Sequence, residues 1–460
     1  MLDLFTYDYA NLSAADIINF INTVITALFG LFLLYRTVYM IAGLFLRVKY
    51  PEAKNEHTYA FLIAARNESK VIGNLIESIL KQNYPADKLT VFVVADNCTD
   101  DTAEVCRQLG CIVYERFNDR QIGKGYALKF LTENIKKDYG MLAFDGYFIF
   151  DADNLLAHDY VYEMNKAFDN GNKIVTSYRN VKNFDTNIIS ASYGYHQYRN
   201  TRTLHIPRSK FNFSCMVTGT GYLVASEILK DGWRWELITE DNEFTADSVL
   251  NGYQVVFCQD AEFFDEQPTD VKTMWRQRVR WSKGILLTFV SHIGKIFKNF
   301  LTPESSNRRR AEGRTGQNVF QRKFTYYDLF WQLFPTALIL FVWQIMYYSA
   351  ILTVSVVTDT PVGTAFANLG IAVAKSVIQL YIVTFIQVIP VVICEWKRIV
   401  CHPAKKILYM FAFPLFDLLN MPITLVALFT KVEWKPIPHN DSTDIDKIDR
   451  LNEKYNKKER

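Results

Sequence analysis

The placement of the apolar runs constrains this chain more than any other feature. Four stretches, roughly 17–35, 333–357, 368–394 and 407–430, are each long enough for the ~20 residues a helix needs to cross hydrocarbon. Between the first and second lies a polar block, about 50–270, with the makeup of an ordinary globular domain. Apolar residues are 50% of the 460, too unevenly spread for a wholly soluble chain of two or three domains. The expected plan is an N-terminal span (1–48), a soluble domain (49–270), an interfacial segment (271–325), a cluster of spans (326–432) and a polar tail (433–460).

The opening residues, MLDLFTYDYA, are acidic and lack the basic start of a signal peptide, whereas RVKY follows the first span. The positive-inside rule then puts the N-terminus outside and the soluble block in the cytosol. It also places CEWKRIVCHPAKK (394–406) inside and TDTPVGTAF outside. That leaves the tail outside, although it carries KVEWKPIPH and ends KYNKKER. Two resolutions are open. Either the last segment, broken by Pro414 and Pro422, re-enters without crossing, or the tail is external. The 7 cysteines are scattered, without CxxC or His/Cys spacing, which predicts reduced thiols and argues against a zinc site. No nucleic-acid partner is expected at a net charge of +3.

Within the soluble block, apolar runs alternate with helical patterns. TYAFLIAARNE, LTVFVVADNCTDD, CIVYERF and YFIFDADN read as strands; ESKVIGNLIESILKQ, TAEVCRQLG and GYALKFLTENIKK read as helices. This alternation predicts a doubly wound α/β domain, a mostly parallel sheet with helices on both faces. Ligands bind such sheets beyond the carboxyl ends of the strands. Arg66 and Glu68, Asp96, and Asp151 with Asp153 all fall at or just after predicted strand ends. Solvated loop acids explain any one of these; three strand ends delivering charge to one rim favour a site. Asp151 and Asp153, at i and i+2 of an extended segment, point the same way and repel unless a cation sits between them. A hard divalent ion with oxygen ligands and room for a diphosphate fits, and an Asx turn is the bland alternative. In ELITEDNEFTADSVLNGY, Thr239 is placed to cap a helix whose first turn holds Glu240, Asp241 and Glu243, where the dipole favours acids. Capping does not require three acids, so one is a candidate base.

Taken in order, AARNE, VVADNCTDDT, GKGYAL, FDADN, VTGTG, TED and QRVRW resemble the motif set of the family 2 glycosyltransferases. The resemblance covers about residues 57–285. It is closest to the membrane-embedded processive branch: cellulose, chitin, hyaluronan and poly-N-acetylglucosamine synthases. It implies a GT-A, Rossmann-like cytosolic domain inserted between transmembrane helices, and Mg²⁺ or Mn²⁺ as cofactor. It also implies residue roles. Asp96 looks like the carboxylate that binds the uracil of a UDP-sugar, with Glu68, Ala64 and the neighbouring backbone framing the nucleoside. Lys124 resembles the lysine on the diphosphate. Asp151 and Asp153 resemble the acidic pair that handles ribose and metal. Asp241 resembles the general base of TED, with Glu240 beside it. Gln277, Arg280 and Trp281 match QxxRW, the first two on the donor and the tryptophan on the acceptor. Gly219 and Gly221 of VTGTG resemble the acceptor-lining segment, though VTGTG departs from the FFCGS form of cellulose synthases.

The stretch RQRVRWSKG sets fixed charge beside apolar residues. Met274, Trp275, Val279, Ile285, Leu286, Phe289 and Val290 suit a helix at the cytosolic membrane surface. Arg280 offers a planar, permanently charged fork to a diphosphate, and Trp281 a flat face to a sugar. From 271 to 323 there are 13 Lys and Arg against two acids, Glu304 and Glu312, so most of this charge is expected on anionic head groups, Arg308, Arg309 and Arg310 included. TPESSNRRRAEGRTGQ reads as a linker rather than a lid. Arg36 marks the cytosolic end of the first span. Asp417 and Asn420, one helical turn apart beside two prolines, are the candidates for lining a product path. Lys375, Tyr347 and Tyr348 read as interfacial anchors.

The resemblance implies an inverting processive transferase that polymerises a UDP-sugar into a β-linked extracellular polysaccharide and passes it across the plasma membrane. Glycolipid-forming relatives also carry (Q/R)xxRW, so the alternative is one or a few sugars added to a lipid. The implied partners are the UDP-sugar, a growing polysaccharide or glycolipid acceptor, the bilayer and an accessory membrane subunit. No PilZ-like domain follows the spans, so a cyclic-nucleotide regulator would be a separate chain. The intact acidic set disfavours a non-catalytic subunit.

Overall fold

The structure, a computed structural model, describes residues 13–302, 316–358, 360–432 and 439–456. Arg308, Arg309 and Arg310, the MLDLFTYDYA start and most of KVEWKPIPH lie outside them. Helix α1 (Ala14–Phe45) starts at a capping box in which Ser13 and Asp16 satisfy each other's backbone N–H groups. The predicted alternation follows: β1 (Tyr59–Ala65), α2 (Ile72–Leu80), β2 (Leu89–Asp96), α3 (Thr102–Gln108), β3 (Ile112–Arg116), α4 (Lys124–Asp138) and β4 (Gly146–Asp151). Next come β5 (Leu155–Leu156), α5 (Tyr160–Asp169), β6 (Ile174–Val181) and α6 (Ile188–Asn200). A π turn (Thr201–His205) leads to α7 (Ile206–Lys210), β7 (Tyr222–Ala225), α8 (Ser226–Leu229), α9 (Glu240–Leu250) and β8 (Val255–Asp265).

The eight strands form one sheet in the order β3-β2-β1-β4-β7-β6-β8-β5. Strands β1 to β4 are parallel, as are β6 and β8. Strand β7 runs antiparallel to both β4 and β6, and β5 antiparallel to β8, so the sheet is mixed. Separate apolar clusters cover its two faces, which is why its central strands read as continuous apolar runs.

Beyond the sheet lie α10 (Val271–Leu301), α11 (Val319–Leu333), α12 (Thr336–Val357), α13 (Val362–Glu395), α14 (Pro403–Met410), α15 (Phe413–Leu418), α16 (Asn420–Phe429) and α17 (Ile445–Asn456). Four segments are long and apolar enough to cross a membrane: Ala14–Phe45, Thr336–Val357, Val362–Glu395 and Pro403–Phe429. The first three are single helices. The fourth is the broken run α14–α16, which is bonded to α6 and α10 along its length. Tyr195 donates to the Lys406 carbonyl near its start. Arg199 pairs with Asp417 through two 2.8 Å bonds. Arg278 bonds the Phe416 carbonyl at 2.7 Å and Asn420 Oδ1 at 2.6 Å. Lys283 reaches the Leu428 carbonyl at 3.2 Å near its end. A straight helix of this length would carry the chain about 40 Å away.

The tail then returns to the sheet domain. Lys182 donates to the Asp441 carbonyl at 2.9 Å, Asn74 to that of Ser442 at 3.1 Å, and Lys81 and His158 meet Asp446 and Asp449 of α17. Re-entry without crossing is therefore the resolution, and tail and domain share a side. Asp417 and Asn420 are not left to line a path, because two arginines from α6 and α10 consume them. The apolar face of α10 also differs from expectation. Met274 joins the main core, Val279 packs on Ile423 and Ala427, and Ile285 and Phe289 meet α9 and α11. Protein, rather than lipid, covers most of it, and Val290 is one of the positions left exposed.

Two contacts fasten the domain to α1. A side chain at Gly43 would sit 1.5 Å from the Arg202 carbonyl oxygen, so the span touches the π turn backbone to backbone. Asp328 of α11 accepts hydrogen bonds from Tyr35 at 2.9 Å, Tyr39 at 3.2 Å and Arg208 at 2.7 and 2.9 Å.

Candidate active site

The rim above β1, β2 and β4 holds the charged residues expected there. Ala64, the penultimate residue of β1, is in register with Asp151 of β4. Lys124, the first residue of α4, turns inward and donates to Asp151 Oδ1 at 2.5 Å and the Gly219 carbonyl at 2.7 Å. Its Nζ lies 3.9 Å from Glu240 Oε1. Burial opposes its charge, but Asp151 and Glu240 outweigh that and raise its pKa. Gly219, at φ +81°, opens toward Asp241, whose Oδ2 would lie 3.8 Å from a Cβ there. Burial raises the pKa of both Glu240 and Asp241, with Lys124 opposing in each case. Arg280 faces the same acids and hydrogen-bonds to none of the described residues; burial lowers its pKa, against Glu240, Asp151 and Asp241. Thus Ala64, Lys124, Asp151, Gly219, Glu240, Asp241 and Arg280 come together.

Gln277 and Trp281 stand one residue further out, around Tyr193. The Tyr193 hydroxyl donates to Gln277 Oε1 at 2.6 Å, and its ring meets Trp281 edge-on at 5.9 Å. Thr239 occupies the N-cap of α9, yet its side chain makes no cap bond. It is turned onto Gly284 of α10, where any Cβ would lie 2.3 Å from it, and its hydroxyl is buried without a partner among the described residues. The capping expected of Thr239 is replaced by this close helix–helix contact.

Asp153 and Asp151 take different partners despite their i, i+2 spacing. Asp153 is buried and accepts from the Glu266 N–H at 3.0 Å and from Asn154 at 3.0 Å. Burial is outweighed by His439, Lys182, that N–H and Arg179, which together lower its pKa. Glu68 accepts from His439 Nδ1 at 3.0 Å, and His439 Nε2 is 4.0 Å from Asp153. Burial raises Glu68 despite this imidazole. Asp153 and Glu68 overcome the burial of His439 and hold it protonated, with a pKa of about 10. Asp96 is buried against Arg116 Nη1 at 2.5 Å.

Among the described residues no three His, Cys, Asp or Glu side chains converge as a ready-made metal cage. The carboxylates nevertheless fit a hard divalent cation. Asp151 is 39% exposed at the rim and Asp153 stays ionised, so the two can supply part of an oxygen shell that diphosphate oxygens complete.

Sequence reasoning passed over Arg116, Arg179, Tyr193, Tyr222 and His439. Arg116 ends a predicted strand, and the strand-end rule that selected Asp96 also selects it. Arg179 binds Asp265 and the Thr218 carbonyl within VTGTG. The buried hydroxyl of Tyr222, without a partner among the described residues, lies near Glu240, Asp241 and Asp151.

Residues 57–284 match the family described as glycosyltransferase like family 2. The chain is 25% identical over 256 residues to the probable glycosyltransferase YdaM of Bacillus subtilis, covering 52% of this chain and 57% of that protein. It is 25% identical over 239 residues to a poly-beta-1,6-N-acetyl-D-glucosamine synthase of Staphylococcus epidermidis (50% and 56% covered). It is 26% identical over 252 residues to the beta-monoglucosyldiacylglycerol synthase of Synechocystis sp. (52% and 48% covered). The chain spans about half the length of these curated relatives. Among solved structures, the mannosyltransferase PcManGT from Pyrobaculum calidifontis, in complex with GDP-Man and Mn²⁺, superposes with a TM-score of 0.57 at 17% identity. That match covers 84% of this chain and 98% of the other, and shows a shared GT-A fold. Through residues 57–284, the chain belongs to the family 2 glycosyltransferases.

Proposed function

We propose that this chain transfers a sugar from a UDP-sugar to an acceptor at the cytosolic face of the plasma membrane, with inversion. The observation that supports it most is the meeting of two buried acids, Glu240 and Asp241, with two cations, Lys124 and Arg280, around Asp151. An acceptor hydroxyl attacks the anomeric carbon and forms the new C–O bond. The bond to the diphosphate breaks, and its electron pair leaves with UDP. Asp241 takes the acceptor proton, and an α-linked donor gives a β-linked product. Lys124 and Arg280 meet the charge that grows on the departing phosphate. Mg²⁺ or Mn²⁺ held by Asp151 and Asp153 supplies further neutralisation of the diphosphate when bound. Asp96 and Glu68 frame the uracil nucleoside with Ala64; Gly219, Glu240 and Trp281 line the acceptor side; Gln277 positions the start of α10.

The product is a β-linked polysaccharide made processively and passed across the membrane, a reading supported by the likeness to poly-beta-1,6-N-acetyl-D-glucosamine synthases. A second reading, one or a few sugars on a lipid, is favoured by one observation: α14–α16 is held on the domain side, leaving three single helices to wall a polymer path. The test uses the full chain in lipid vesicles with Mg²⁺ or Mn²⁺ and each radiolabelled UDP-sugar, singly and in pairs. Asp241→Asn is the control. High-molecular-weight label, absent with the variant, supports the polymer. Label confined to the lipid-soluble fraction moves the assignment to glycolipid. No transfer from any UDP-sugar sinks the donor class.

A further inference from the structure

A groove of about 480 Å³ lies where α1, the end of α7 and the start of α11 meet, on the domain side of the Asp328 junction. Its walls are aromatic: Tyr39, Phe211, Phe213, Phe320 and Phe324 line it, and Lys210 stands among them. Phe213 packs on Phe324 at 4.6 Å, and Tyr39 lies 6.2 Å from Phe211. Two polar residues also line it, but they are largely spent. Asn318 and Gln321 cap each other, and Gln321 Nε2 donates to the Phe211 carbonyl. Asp328 lies beyond the tyrosines, neutralised by Arg208. What the groove offers an occupant is therefore apolar surface and one exposed cation, and Lys210 has no hydrogen bond or ion pair among the described residues.

We infer that this groove binds one anionic glycerophospholipid from the leaflet on the catalytic domain's side, its phosphate on Lys210 and an acyl chain against the aromatic walls. Three observations select that occupant. One wall is α1, a span whose outward residues Leu34, Val38 and Ile41 are 58%, 54% and 53% exposed and need lipid around them. Val38 itself lines the groove, and Phe320 opposite is 66% exposed, so the mouth is apolar on both sides. A sugar chain would require several hydrogen-bonding groups, whereas a lipid requires one cation and a dry slot. The occupant would rest on Tyr35 and Tyr39, whose hydroxyls hold Asp328, and so would keep water from the buried Arg208–Asp328 pair that ties domain to span.

The test takes the full chain from nanodiscs of equal phosphatidylglycerol and phosphatidylcholine into mild detergent and reads retained lipid by native mass spectrometry. The expectation is preferential retention of one phosphatidylglycerol. Lys210→Ala should weaken its binding about fivefold, the share of one cation near an anionic lipid surface. Phe320→Ser, at a position 66% exposed, should weaken it as well. In lipid-free detergent both variants should melt with the wild type, which separates a lost ligand from a lost fold. Equal retention of the two lipids, or undiminished phosphatidylglycerol on Lys210→Ala, would overturn the inference. So would displacement of the lipid by glycerol phosphate, because a free phosphate would then suffice.

Discussion

Asp241 and Glu240 sit at the start of one helix, yet their environments differ from that of an ordinary capping acid. Burial lifts both carboxyl groups, and a base must be unprotonated to work. The acid limb of the pH–rate profile should therefore lie above the usual carboxylate range, activity being lost as pH falls through the raised value. A limb centred near pH 4 would remove Asp241 from the role. Asp241→Asn should cut turnover by about 10²–10⁴-fold while calorimetry still detects UDP binding. His439 works in the opposite sense. Its folded pKa of about 10 lies above its ordinary value, so its stabilising charge is present in full below about pH 6.5 and lost as pH rises through about 10. Melting curves of wild type and His439→Ala should differ by about 2 kcal/mol at pH 6.5 and converge above pH 10. Asp151 was legible from a strand end, and Lys124 and Arg280 through the motif resemblance. His439 was not, since its contact with Glu68 joins positions 371 residues apart and no local pattern encodes such a pairing.

At the level of elements, α10 is the beam on which the site and the re-entrant run both rest. Arg278 lies 3.9 Å over the Phe416 ring while its nitrogens hold Phe416 and Asn420. Arg278→Ala leaves those buried groups unpaired and should lower stability by about 3 kcal/mol in a detergent melt; Arg278→Lys should recover little, lacking the fork. Gly284 fixes the other end of this arrangement. Its Cα lies so close to Thr239 that alanine must push the α9 start aside, and with it Glu240 and Asp241. Gly284→Ala should reduce turnover far more than UDP affinity. The β1 to β4 alternation could be read directly because each strand is a long apolar run. Strand β7 could not: it has four residues, and only pairing with β4 and β6 makes it a strand. The fourth apolar segment matched a span in length, but the arginines that hold it down come from α6 and α10, far away in sequence.

For the molecule as a whole, the return of the tail fixes a topology that loop charges alone left open. With native cysteines replaced, Arg450→Cys on α17 and Lys137→Cys on α4 should react with an impermeant maleimide from the same side of sealed vesicles. Labelling from opposite sides would rule out the re-entrant course. The Gly43–Arg202 contact has a kinetic consequence. With no side chain between them, span and domain cannot tilt or slide independently, so the reaction centre keeps one height and heading above the bilayer. A partner arriving by lateral diffusion then searches a plane rather than a volume, and the orientational entropy of that encounter is largely lost once, when the chain folds, instead of at every turnover.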